Sequence, residues 1–118
     1  MPHAVLLSPE HPAVARVAGR DRSYRAAIHV LRAPCFVADP RVWDASLFGP
    51  PGMVGHGIDF QAILTAGGWS TGERRLIEVA ASLLNSEHDV CLHSLQALDD
   101  ANQRRVLEAI AIAWGRCG

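Results

Sequence analysis

The sequence contains no lysine: all 11 of its basic side chains are arginines. Within these residues, a glycine loop that ends in lysine and cradles phosphates is therefore excluded. Aromatic residues make up only 6%, with a single tyrosine, so few side chains are available to build stacking platforms. Blocks of like charge are missing as well, and 11 basic against 12 acidic residues leave a net charge of -1. That balance supplies no broad positive field, so binding to nucleic acid would need arginines gathered on one face. Long apolar runs are absent. The one near the start, Ala4 to Leu7, is too short for a signal-peptide core, and nothing approaches the ~20 apolar residues that cross a bilayer. Cysteine is scarce and odd in number (Cys35, Cys91 and Cys117), unlike a secreted disulfide framework. Reduced thiols and a cytoplasmic location away from membranes are the expectation.

What is present suits one hydrophobic core. The chain has 118 residues, 49% of them hydrophobic and 19% charged, and residues 1–118 read as a single helical domain. Ser8-Pro9 and His11-Pro12 are competing start signals for a first helix, which Gly19 ends. Asp21 caps a second helix through Ala33, in which Tyr24, Ala27, Ile28 and Leu31 recur at helical spacing before Pro34 stops it. After a brief extended stretch at 35–37, Asp39-Pro40 opens a short helix anchored by Val42, Trp43, Leu47 and Phe48. Residues 49–57 hold four glycines and two prolines and predict an exposed loop.

The second half carries the stronger local signals. Asp59 caps a short helix with Phe60, Ile63 and Leu64, closed by Gly67-Gly68. Ser70-Thr71-Gly72-Glu73 is a capping box, in which hydroxyl and carboxylate each satisfy the other residue's backbone N–H. Its helix reaches to about Asn85, with Leu76, Ile77, Ala80, Leu83 and Leu84 as an apolar stripe. Val90-Cys91-Leu92 alternates like a very short strand, Leu92, Leu95 and Leu98 suit a short helix, and Asp99 or Asp100 caps the last one. The segment 70–115 thus reads helix-strand-helix-turn-helix. The fold class that follows is mainly α, a compact bundle of five to six short helices with at most a minimal pairing of 35–37 with 90–92.

The last helix has too much apolar surface for one face. Val106, Leu107, Ile110 and Trp114 form one stripe, and Ala109, Ile112 and Ala113 widen it. This places the helix either at the centre of the bundle or in a subunit interface, with Ile112 and Trp114 as interface candidates. A non-catalytic interaction or accessory module, with a homodimer as one form, is the leading functional expectation.

From Trp69 to Ile110 the sequence resembles the stretch of ABC-type ATPases that runs from the signature motif to the D-loop. That resemblance implies nucleotide binding, but the chemistry is missing: there is no phosphate-binding lysine, and His93 and Ser94 stand where an acidic pair would hold magnesium. The same region resembles a winged helix-turn-helix. This implies a DNA-binding alternative in which Asn102, Gln103, Arg104 and Arg105 on the last helix face bases or phosphates. Asp99, Asp100 and Glu108 bring negative charge to that face, and no residues remain for a wing.

A third class is a metal- or Cys/His-dependent enzyme assembled from His29, Cys35, Cys91 and His93. Only Cys91-Leu92-His93 approaches zinc-ligand spacing, and Cys35 and Cys91 read more simply as small buried hydrophobes. His56 with Asp59 reads as a loop histidine beside a helix cap. No cofactor and no metal is expected.

Overall fold

A run of small and apolar side chains makes the helix Arg22–Leu31, here α1, the element on which the two longest described helices pack. Ala26, Ala27, Ile28, Val30 and Leu31 are all buried along it. The alanines let neighbouring helices approach closely. The architecture is that of a computed structural model, described for residues 14, 19, 22–37, 39–43, 58, 60–84 and 90–115. Among those residues the order continues with a 3₁₀ turn Pro34–Phe36, α2 (Pro40–Trp43), α3 (Phe60–Ala66), α4 (Thr71–Leu84), a 3₁₀ helix Leu92–Ala97 and α5 (Asp100–Ala113). A mainly α bundle is what the apolar spacing anticipates, and no strand occurs among the described residues. The radius of gyration of 13.6 Å is close to the ~13.5 Å of a folded domain of this length.

Both α4 and α5 pack against α1. The centre of the bundle is therefore α1, not the last helix, because α5 buries only Val106 and Ala109. On α4 the buried residues are Leu76, Ile77, Val79, Ala80 and Ala81, while Leu83 is only half-buried. The α4 stripe is thus shifted toward Val79 and Ala81 relative to the spacing-based expectation. Where extended chain is expected at 35–37, proline's fixed φ starts a tight turn, closed by Phe36 N–H donating to the Ala33 carbonyl at 2.9 Å. Leu92 likewise opens the 3₁₀ helix instead of ending a strand.

A second set of contacts ties the short elements together. The Trp43 indole N–H donates to the Phe36 carbonyl at 2.8 Å, and that of Trp69 donates to the Ile63 carbonyl at 2.9 Å. Phe36 meets Trp69 edge to face, with ring centroids 5.7 Å apart. The Arg41 guanidinium lies over the Trp69 ring, 3.7 Å from its centre. Arg41 also pairs with Asp39 at 2.7 Å and donates to the Gly67 carbonyl at 2.9 Å. Burial raises the Asp39 carboxyl, but the bonds and charge of Arg41 outweigh it and hold the group below its ordinary value. Gly67 and Gly68, each at φ 76°, make the left-handed reversal that separates α3 from α4.

The caps follow the sequence. Ser70 N–H donates to Glu73 Oε1 at 2.9 Å and Glu73 N–H to Ser70 Oγ at 3.2 Å, and Asn102 N–H donates to Asp99 Oδ1 at 2.8 Å. Among the described residues, no helix is long and apolar enough to cross a membrane. The start signals Ser8-Pro9 and His11-Pro12 of the first predicted helix and most of its length to Gly19, the predicted cap Asp21, Leu47, Phe48, the 49–57 loop with His56, Asp59, Asn85 and Cys117 lie outside the described residues.

Candidate interaction surface

The 3₁₀ helix 92–97 is held against the start of α5 by one side chain. Gln103 Nε2 donates to the Leu98 carbonyl at 3.0 Å and reaches the Leu95 carbonyl at 3.4 Å. The first of these bonds answers the carbonyl of Leu98, just after the 3₁₀ helix, whereas the Leu95 carbonyl already accepts from the Leu98 N–H at 3.0 Å. The docking leaves an apolar groove of about 290 Å³ between the two elements. Leu92, Leu95 and Leu98 form one wall, and Val106, Leu107 and Ile110 form the other.

Among the described residues, two of the most exposed large apolar side chains line this groove and a third lies one turn beyond it. Leu92 is 74% exposed, Leu107 68% and Trp114 69%. Trp114, the C-cap of α5, follows Leu107 by seven residues and so lies on nearly the same helical face. Of the two interface candidates, Trp114 stands in solvent at the end of α5, whereas Ile112 is half-buried and packs against the core. Leu92 and the groove were not singled out from sequence. The leucines at 92, 95 and 98 lie beside the α5 stripe in sequence, and the docking of the 3₁₀ helix makes Leu92, Leu95 and Leu98 a groove wall.

The residues implied by the helix-turn-helix resemblance are divided. Gln103 is committed to the 3₁₀ helix, and Arg105 Nη1 donates to the His29 main-chain oxygen at 2.9 Å. Asn102 is half-buried and Arg104 exposed. Of the arginine pair, then, one side chain is spent on internal architecture.

His29 Nε2 meets Glu108 Oε1 at 2.9 Å, pairing α1 with α5. The bond from His29, then its charge, hold the Glu108 carboxyl below its ordinary value, with Arg105 and Arg104 adding to the effect. His29 is thus engaged with α5, while Cys91 and His93 are exposed at the start of the 3₁₀ helix. Among the described residues, no three His, Cys, Asp or Glu side chains gather as a metal ion requires. Cys35 and Cys91 are exposed, not buried as their residue type suggested. The reason is local, since the Pro34–Phe36 turn sends Phe36 inward and leaves Cys35 outside. Partial desolvation of its sulfur, and then the nearby Glu73 charge, push the Cys35 thiol up. A raised thiol is a poor nucleophile.

Comparison with protein-family models, with curated proteins and with solved structures finds no match.

Proposed function

We propose that the protein is a non-catalytic interaction module working through the face shared by α5 and the 3₁₀ helix 92–97, with a second copy of the chain as its partner. The observation that supports this reading is the exposure of Leu92 and Leu107 on one apolar groove, with Trp114 exposed one turn beyond it. Isolated exposed leucines are ordinary, but several large apolar groups rimming a concave site mark an association surface. Covering a leucine-sized side chain fully is worth about 1.5–3 kcal/mol. Tryptophan adds large area with little conformational entropy to lose, which is why it anchors many interfaces.

Sedimentation velocity across low to high micromolar concentrations tests the reading. A concentration-dependent dimer is expected, and Leu107→Glu should shift it to monomer without altering the helical circular dichroism. A chain that stays strictly monomeric at high micromolar concentration contradicts the reading.

A further inference from the structure

Gln103, Leu107 and Ile110 on α5, and Trp114 at its C-cap, follow one another at spacings of four, three and four residues. That is the rhythm of a helix-packing seam, in which apolar residues stay on one side of the helix over two turns. The first three line the groove against the 3₁₀ helix. Trp114 continues the line one turn further, beyond the residues that line it, and is exposed. Each chain therefore carries an open groove at one end of the seam and an unseated tryptophan at the other.

We infer that two copies pair with their α5 helices antiparallel, so that Trp114 of each seats in the groove of the other beside Gln103. This deepens the self-association proposed above and rests on it. In an antiparallel pair the seam positions match in reverse order: Leu107 meets the second copy's Ile110, and Gln103 meets its Trp114. The contact is self-complementary, as a two-fold interface must be.

Polar complementarity favours this occupant. Gln103 uses its amide nitrogen on the Leu95 and Leu98 carbonyls, which leaves Oε1 open as an acceptor. The Trp114 indole N–H has no acceptor among the described residues. The antiparallel register brings this donor to that acceptor. At the C-terminus of α5 the cation that the helix dipole favours is supplied within the chain, by Arg22 beside Gly115, and α1 packs on the buried side of α5, away from the seam. Glu108 faces His29 and stays out of the contact.

A double-mutant cycle on the dimer constant tests the arrangement, using the full chain with Trp114→Ala, Gln103→Ala and both. Because Trp114 is on the surface, its truncation leaves the core untouched. Expected is at least a tenfold weaker dimer for Trp114→Ala, and a double variant little weaker than that single one. Within one chain these residues are ~16 Å apart along the helix, too far to couple directly, so non-additivity reports contact between copies. The tryptophan emission of the wild type should also shift to the blue as the dimer forms. Additive losses, or a dimer indifferent to Trp114→Ala, overturn this arrangement and leave self-association standing. A monomeric wild type overturns both.

Discussion

Arg105 on α5 donates from Nη1 to the main-chain oxygen of His29 at 2.9 Å, in the last turn of α1. One helical turn further along α5, Glu108 takes the His29 ring at 2.9 Å. One histidine is thus gripped by its backbone and by its side chain, across 76 and 79 residues of sequence. The guanidinium shares a carbonyl of the last helical turn with the Arg32 N–H, which donates to it at 3.3 Å, and its charge suits that terminus. Arg105→Ala should destabilise the chain by about 1–3 kcal/mol, as for a hydrogen bond from a charged donor. Urea unfolding with unchanged slope would show it. A loss under about half a kcal/mol would mean that the contact is idle.

The partner of that histidine sets a pH dependence. Glu108 is held below its ordinary value in the folded chain, chiefly by the His29 bond. A depressed carboxyl stabilises the fold above its unfolded value and loses that contribution as pH falls through the folded one. The window therefore lies on the acid side, below the ordinary value of 4.5. Asp39, lowered by Arg41, acts in the same direction. Glu108→Gln should flatten the fall in thermal midpoint across this range. A profile as steep as that of the wild type would show that Glu108 has no part in it.

Arg41 ties the start of α2 to the α3–α4 connection by stacking on Trp69, pairing with Asp39 and bonding to the Gly67 carbonyl. Lysine keeps the charge but loses the planar fork that makes these contacts together. Arg41→Lys should cost about 1–2 kcal/mol, from a lost stacking contact and a lost hydrogen bond. Chemical denaturation measures it, and a neutral result would reduce the cluster to surface decoration.

Leu76 is fully buried on α4, whereas Leu83 is half-buried. Leu76→Ala should cost about 2–5 kcal/mol, with a cavity left behind, and Leu83→Ala clearly less. Comparable losses at the two sites would place the buried face of α4 wrongly.

The caps were legible in the sequence because each is decided within four residues. Ser70 with Glu73, and Asp99 with the Asn102 N–H, form as the local pattern requires. The reversal at Gly67-Gly68 was legible for the same reason. The central place of α1 was not, since Ala26 and Ala27 carry a weak hydropathy signal and matter for allowing close approach. At 35–37 and 90–92 a three-residue alternation was too short to bind itself to strand pairing, and turn formation won. The groove was hidden because it depends on how the 3₁₀ helix docks, through a glutamine that sequence reasoning offered to DNA bases.

Whether the face of α5 closes against a second chain is read most directly by amide hydrogen exchange at low and high protein concentration. Added protection is expected at the higher concentration along residues 92–97 and 103–114, with α3 and the Arg41 cluster unchanged. Identical exchange of both segments at the two concentrations would contradict the account.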